Sequence, residues 1–178
     1  SKKKIKKGSV IVTNEIANYG LDKSLKKLGL KLKRVKVGDK NILREILDNK
    51  YFFGGEPSGH FIFKDDILIG DGMTTAIRLL TLILKENKKL SSLKKGIDLL
   101  EVINVNQKID REKFYLFQDS IYQKLNKLCR NFDIYYNIRP SGTESLLRVN
   151  LQYDKRNIKV STLVKLKTQI IKVISDAC

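Results

Sequence analysis

Short runs of β-branched residues alternate with helix-like apolar stripes along the first half of this chain. Residues 9–13 predict a strand, and the apolar side chains at positions 21, 25 and 28 predict a helix that ends at Gly29. Residues 30–37 alternate apolar with basic side chains, which predicts a half-buried strand, and the stripe at residues 42–47 predicts a second helix. This βαβα order is typical of an α/β domain.

The pattern continues through two short predicted strands and one long helix. Residues 51–53 and 61–63 are the predicted strands, and they flank a glycine-rich loop at residues 54–60. Asp71 is the predicted N-cap of an apolar helix that ends at about residue 84. A polar segment and a short helix at residues 93–100 follow, so we place a domain boundary close to residue 100.

The remaining residues predict a smaller α+β module. Its elements are a strand at 101–109, a helix at about 119–130, strands at 132–138 and 146–153 around a turn at 139–145, and a helix at about 158–175. The last helix carries an apolar docking stripe of Leu163, Leu166, Ile170 and Ile174. We therefore expect an α/β domain at residues 1–100, incomplete at its start, followed by an α+β domain at residues 101–178.

Composition excludes several classes of protein. Of the 178 residues 42% are hydrophobic and only two are Pro, which excludes low-complexity and disordered chains. No apolar run approaches the roughly 20 residues of a membrane span, and the lysine-rich N-terminus lacks the apolar core of a signal peptide. Two Cys and one His cannot complete a zinc site from soft ligands. We expect a soluble protein of a reducing compartment, the cytoplasm.

The net charge of +17 suggests a nucleic-acid-binding protein, but the kind and the placement of the charges favour another interpretation. Only eight of the 36 basic residues are Arg, and the lysines are scattered over every predicted helix, as on solvated faces. The tyrosines that could stack on bases fall at apolar positions, so we expect them to be buried or half-buried. They are Tyr115, Tyr122, Tyr135 and Tyr136. A basic module that binds RNA or DNA remains the alternative of another class.

The loop between the last two predicted strands has the chemistry of an anion site. Residues 139–148 combine hydroxyl groups, a glycine that lets a ligand approach the backbone, and two arginines about a strand length apart. Charged forks and backbone N–H groups in a concave turn are the donors that a phosphate monoester requires. Pro140 favours an extended conformation at Arg139, which would present its side chain at the mouth of the turn. The alternative is a polar hairpin whose arginines are incidental.

Four motifs together resemble those of the alpha-D-phosphohexomutases. They are Gly-Gly-Glu-Pro-Ser-Gly-His at 54–60, Gly-Asp-Gly at 70–72, Arg-Pro-Ser-Gly-Thr-Glu at 139–144 and Lys-Val-Gly-Asp at 36–39. The resemblance covers essentially the whole chain and is greatest to the bacterial phosphoglucosamine mutases. Members of the superfamily have four domains. The resemblance implies that residues 1–100 are most of the third, an α/β domain, and that residues 101–178 are the fourth, a smaller α+β domain.

The resemblance also implies a role for each matched residue. Glu56 and Ser58 match positions that bind the sugar hydroxyls, and Gly38 and Asp39 match a substrate-facing loop. His60 matches a position near the transferring phosphoryl group, where a histidine can transfer a proton. Its alternative role is that of a strand-start residue satisfied by the backbone. The residues that match the clamp on the phosphate that is not transferred are Arg139, Ser141, Gly142, Thr143 and Arg148.

The implied reaction interconverts glucosamine 6-phosphate and glucosamine 1-phosphate through an enzyme phosphoserine and a hexose bisphosphate, with Mg²⁺ as cofactor. A phosphoglucomutase or phosphomannomutase is the alternative within the superfamily. The serine loop and the magnesium loop of the family lie in its first two domains, so we expect this chain to be a fragment that is inactive alone. Its expected partners are a phosphosugar and the missing N-terminal domains, with a homodimer left open. Pro57 and Ser145 depart from the family pattern, which alters loop stiffness more than the donor groups.

Overall fold

Each half of the chain is built on its own sheet. The computed structural model describes residues 5–66, 68–132 and 134–177, and the chain divides between Leu99 and Leu100 into two units. Among the described residues, no helix combines the length and the apolar character that a membrane crossing requires.

The first unit contains a four-stranded mixed sheet. Its order is β2-β1-β3-β4, in which β1 pairs in parallel with β2 and β3, and β3 pairs antiparallel with β4. Since β1, β2 and β3 run in the same direction, their carboxyl ends meet at one edge. The elements are β1 (Val10–Asn14), α1 (Gly20–Lys27), β2 (Lys31–Val35), α2 (Asp39–Asp48), β3 (Phe53–Gly55), β4 (Phe61–Phe63), α3 (Gly72–Glu86) and α4 (Leu90–Leu93).

The core of the first unit lies between α2 and the sheet. Ile42 and Ile46 of α2 are fully buried against Val12 and Ile62 of the strands. Gly54 allows this close approach, because a Cβ at that position would lie 2.6 Å from Ile42 Cγ2. The tight packing fixes the start of α2 beside the ends of β1 and β3.

Several predicted elements of the first unit have different bounds in the structure. The predicted N-cap is confirmed, because the Asp71 side chain accepts from the N–H groups of Met73 and Thr74. The third strand is at Phe53–Gly55 rather than 51–53, since the two glycines pair with β4. The short helix is at Leu90–Leu93 rather than 93–100, because Gly96 has φ +86° and interrupts helical geometry.

The second unit is a three-stranded antiparallel sheet with two helices. The sheet has the order β5-β7-β6. Helices α5 and α6 share one buried core with the strands, and the predicted stripe of α6 is confirmed, since all four of its residues are buried. The elements are β5 (Glu101–Lys108), α5 (Arg111–Arg130), β6 (Ile134–Pro140), β7 (Leu146–Tyr153) and α6 (Val160–Ser175).

Two predictions for the second unit are wrong. Helix α5 begins at Arg111, eight residues before the predicted start, because Asp110 caps it and Phe114 is fully buried. The first turns of α5 also carry exposed aromatic and apolar residues, so the apolar positions there do not show a helical period. Two of the four tyrosines, Tyr115 and Tyr135, are exposed rather than buried or half-buried.

Candidate functional site

The carboxylate of Glu56 is the centre of a hydrogen-bond cluster in the first unit. Its Oε1 atom accepts from the Gly38 N–H at 2.9 Å and from Asn14 Nδ2 at 3.1 Å. Its Oε2 atom accepts from Ser58 Oγ at 3.0 Å. The cluster therefore joins loops that lie far apart in the sequence.

Strand direction explains why these groups meet. Asn14 is the last residue of β1, Glu56 directly follows β3, and Gly38 lies between β2 and α2. All three positions are at the carboxyl ends of parallel strands, the edge at which open α/β sheets bind ligands. Gly38 has φ +124°, a conformation that L side chains rarely adopt, and this turn brings its N–H to Glu56.

Two opposing effects act on the charge of Glu56. Burial raises the pKa of the carboxyl, while hydrogen bonds from Gly38, Asn14 and Ser58 lower it. The charge of a protonated His60 acts in the same direction as the hydrogen bonds, and the net result is a pKa below the ordinary value of 4.5. Glu56 is thus an ionised acceptor at neutral pH, the group that suits sugar hydroxyl donors.

His60 lies at the outer side of the cluster. Its Nδ1 atom is 3.2 Å from Ser58 Oγ and 3.8 Å from Glu56 Oε2, and its side chain is 54% exposed. Gly70 lies against it, since a Cβ at that position would be 2.7 Å from His60 Cβ. The imidazole is therefore oriented by Ser58 and open to solvent, while the backbone carbonyl of His60 closes the loop by accepting from the Glu56 N–H.

Asp39 is not part of the cluster. It is exposed at the start of α2, and its Oδ1 atom accepts from the Lys40 N–H at 2.7 Å. The structure thus brings together four of the predicted residues of the first unit, Glu56, Ser58, His60 and Gly38.

Sequence reasoning missed the polar residues that support Glu56. Asn14 is 1% exposed, and Thr13 Oγ1 donates to the Gly55 carbonyl at 2.7 Å, which ties the end of β1 to the end of β3. Arg34 donates to the Asn14 carbonyl at 3.2 Å and the Ala17 carbonyl at 2.7 Å. The sequence did hold one indication of these residues: Thr13 and Asn14 directly follow a β-branched run, which places them at the carboxyl end of a predicted strand.

The five predicted phosphate-binding residues of the second unit lie on one hairpin. Arg139 of β6 and Arg148 of β7 are directly opposite in the register. The two arginines, which are nine positions apart in the sequence, are therefore cross-strand neighbours. The Ser141 N–H donates to the Leu146 carbonyl at 2.8 Å and closes the turn. Ser141 is buried, and its Oγ accepts from the Glu144 N–H at 3.3 Å.

Several hydrogen-bond donors of this hairpin have no partner among the described residues. Arg148 Nη2 donates to Glu144 Oε2 at 2.6 Å, but its buried Nε has no partner. The guanidinium of Arg139 and the N–H groups of Gly142 and Thr143 make no hydrogen bond with any of the residues described. Gly142 and Thr143 are exposed, so their N–H groups and the Arg139 guanidinium are open to a ligand from solvent. A charged guanidinium beside unpaired backbone N–H groups is a set of donors that suits an anion.

Arg111 was also missed. Its Nη2 atom donates to the Ser141 carbonyl at 2.9 Å and to the Glu144 carbonyl at 2.8 Å. The residue is 30 positions from Ser141 in the sequence, so no local pattern connects it with the hairpin.

Comparison with known proteins places this geometry in a family. Residues 1–98 match the model described as "Phosphoglucomutase/phosphomannomutase, alpha/beta/alpha domain III". The chain belongs to the phosphoglucomutase/phosphomannomutase family. This result confirms the predicted resemblance and the α/β class of the first unit.

Bacterial phosphoglucosamine mutases are similar to most of the chain. The protein from Ruminiclostridium cellulolyticum is 35% identical over 172 residues, which are 93% of this chain and 37% of that protein. The protein from Finegoldia magna is 36% identical over 175 residues, which are 93% of this chain and 39% of that protein. The chain thus spans less than two fifths of the length of these relatives.

Solved structures of the superfamily share the fold. An N-acetylglucosamine-phosphate mutase in its product complex superimposes with a TM-score of 0.77 at 17% identity, over 96% of this chain and 39% of that one. The Aspergillus fumigatus N-acetylphosphoglucosamine mutase, in complex with GlcNAc-6P and magnesium, gives a TM-score of 0.76 at 15% identity over 95% of this chain and 39% of that one.

The residues described by the structure do not fit a magnesium ion. Among the described residues, no three His, Cys, Asp or Glu side chains form a cluster that could hold a metal. Asp71, in the Gly-Asp-Gly motif, uses both carboxylate oxygens on the backbone of α3 and on Thr74 Oγ1. No step of a reaction is therefore assigned to a metal held by this chain.

Proposed function

We propose that this chain is the C-terminal part of a phosphoglucosamine mutase, which interconverts glucosamine 6-phosphate and glucosamine 1-phosphate in the cytoplasm for amino-sugar metabolism. Residues 1–100 are its sugar-binding third domain and residues 101–178 its phosphate-binding fourth domain. The donors left unused on the hairpin at 139–148 carry the proposal, because a phosphate is the group that this set of donors binds best. Identity of 35–36% to named phosphoglucosamine mutases supports the choice of substrate.

The chain contributes recognition rather than the transferred group. Glu56 accepts hydrogen bonds from sugar hydroxyls, and Ser58 both orients His60 and offers a further contact. His60 Nδ1 faces Ser58, which leaves Nε2 for proton exchange with a substrate oxygen. Arg139, with the hairpin N–H groups, holds the phosphate that is not transferred.

Phosphoryl transfer suits this division of labour. The enzyme phosphoserine of the missing domains gives its phosphoryl group to the substrate, and the resulting bisphosphate reorients and returns the other phosphate. Such a transfer depends on positioning and charge stabilisation, so a fixed sugar and a fixed distal phosphate lower the barrier. The donor serine of the family lies in its first two domains, and the residues that the structure describes form no metal-binding cluster, so we expect no turnover from the chain alone.

Binding of inorganic phosphate to the chain tests the assignment of the hairpin. Loss of one charge-assisted contact costs about 1.5–3 kcal/mol, so Arg139→Ala should weaken binding roughly tenfold or more. Arg130→Ala is the matched control, since this exposed arginine lies at the other end of the helix that begins with Arg111. Because α5 has 20 residues, the two ends are about 30 Å apart. Equal losses of phosphate affinity for Arg139→Ala and Arg130→Ala would mean that the hairpin attracts phosphate only through the general positive charge of the chain.

The substrate is tested on the full-length parent enzyme. The matched family also carries the names phosphoglucomutase and phosphomannomutase, so the competing substrates are the glucose and mannose phosphates. We expect the highest kcat/KM for glucosamine 6-phosphate. Faster turnover of glucose or mannose phosphate would refute the substrate while leaving the reaction class in place.

A further inference from the structure

We propose that Arg111 is a positioning residue for the anion-binding turn at residues 141–145. By holding two of its carbonyl groups, Arg111 orients the N–H groups of Gly142 and Ser145 toward the phosphate. The inference rests on the proposed function, since it concerns the phosphate bound by the same hairpin. Arg111 lies outside the hairpin motif, on a different secondary-structure element.

One nitrogen of Arg111 connects the two ends of the turn. Nη2 donates to the Ser141 carbonyl at 2.9 Å and to the Glu144 carbonyl at 2.8 Å. The backbone of Arg111 is itself fixed, because it begins the 20-residue helix α5 and the preceding Asp110 accepts from the Lys113 N–H at 3.1 Å. The turn is thus anchored from one side to a rigid helix.

Peptide geometry converts these contacts into an orientation for two donors. In a trans peptide the C=O and N–H bonds point in opposite directions, and no cis peptide occurs in the part of the chain that the structure describes. The Ser141 carbonyl shares its peptide with the Gly142 N–H, and the Glu144 carbonyl shares its peptide with the Ser145 N–H. Both N–H groups therefore point away from Arg111. Neither has a hydrogen-bond partner among the described residues.

The arrangement separates groups that would attract an anion from groups that would repel it. The negative ends of two carbonyl dipoles are directed to the Arg111 guanidinium, and the positive ends of the same peptides are left unpaired on the other side. The N–H groups of Gly142 and Thr143 are successive and unpaired, and successive N–H groups in a turn form an anion-binding concavity, with the Ser145 N–H on the same turn. Without Arg111 the Ser141 carbonyl loses its partner, and the Glu144 carbonyl keeps only the Leu146 N–H at 2.9 Å. The two peptides are then held less firmly, and rotation of either would replace an N–H donor by a repelling carbonyl.

The test is an NMR titration of the 178-residue chain with inorganic phosphate, which compares the phosphate affinity of the wild type with that of Arg111 variants. Arg111→Met should weaken phosphate binding roughly tenfold and should shift the Gly142 and Ser145 amide resonances before any phosphate is added. Arg111→Lys keeps one donor for the carbonyls and should retain part of the affinity. The control Arg130→Met removes the same charge from the other end of α5 and should change affinity less than twofold.

Three results would overturn the proposal. Equal phosphate affinity of the wild type and Arg111→Met would remove the positioning role and leave the anion site intact. Weaker binding with unchanged Gly142 and Ser145 resonances would mean that Arg111 acts only through its charge. If Arg111→Met does not fold, Arg111→Gln takes its place with the same expected results. No phosphate binding by the wild type would refute the anion site itself, and with it the proposed function of the hairpin, which is a distinct outcome.

Discussion

Replacement of Glu56 should destabilise the first unit by an amount that the hydrogen bonds of the carboxylate determine. In Glu56→Ala the Asn14 side chain, which is 1% exposed, loses its acceptor and stays buried, at a cost of about 1–3 kcal/mol. The half-buried Gly38 N–H and the exposed Ser58 hydroxyl can turn to water and add less. We therefore expect a total loss of about 2–4 kcal/mol. Glu56→Gln keeps an acceptor for Gly38 and Asn14, and should cost about 1 kcal/mol.

The pH dependence of this effect has a definite sign. The pKa of Glu56 is lower in the folded chain than its ordinary value of 4.5, because the hydrogen bonds outweigh burial. The ionised carboxylate therefore stabilises the unit fully above about pH 4.5, and this stabilisation is lost as the pH falls through the folded pKa. The stability difference between wild type and Glu56→Gln should shrink as the pH falls below about 4.5 and the carboxylate becomes protonated.

Urea unfolding followed by NMR signals of β1 and β3 measures the first unit separately from the second. Ser58→Ala is the control for loss of an exposed partner and should stay within about 0.5 kcal/mol of the wild type. A Glu56→Ala variant as stable as the wild type at pH 7 would refute the view that this carboxylate joins the strand ends. A stability difference that grows as the pH falls below about 4.5 would refute the direction of the pKa shift.

Two further predictions concern packing. Gly54→Ala should lower the unfolding temperature of the first unit and cost about 1–3 kcal/mol, because the new Cβ would lie 2.6 Å from Ile42 Cγ2. The control is Gly142→Ala, whose new Cβ meets nothing within 4 Å and should leave the unfolding temperature unchanged. Equal unfolding temperatures for the two variants would contradict the close approach of α2. Burial raises the pKa of Cys129 to about 11, so in a Cys178→Ser chain Ellman's reagent should modify Cys129 only after unfolding; rapid reaction in the native chain would contradict its burial.

Local patterns predicted the order of the elements, and long-range contacts decided where the site residues met. The α6 stripe and the Asp71 cap depend on residues within a few positions of one another, so both were visible in the sequence. The contact between Asn14 and Glu56 spans 42 positions, and the strand order of the sheet creates it. A motif can identify Glu56 as a binding residue, but the parallel pairing of β1 and β3 determines which side chains support it.

Composition alone also does not show which arginines of this chain are available to bind an anion. A net charge of +17 cannot distinguish one arginine from another, but their partners can. Five of the eight arginines are engaged by carboxylates or carbonyl groups of the chain, namely Arg34, Arg78, Arg111, Arg148 and Arg156. Arg44 and Arg130 are exposed on helices, where a guanidinium is solvated at little cost. Arg139 alone is both unengaged among the described residues and placed opposite Arg148, beside a turn with unused N–H donors. Anion specificity in this chain therefore depends on which donors the fold leaves unpaired, and not on the number of basic residues.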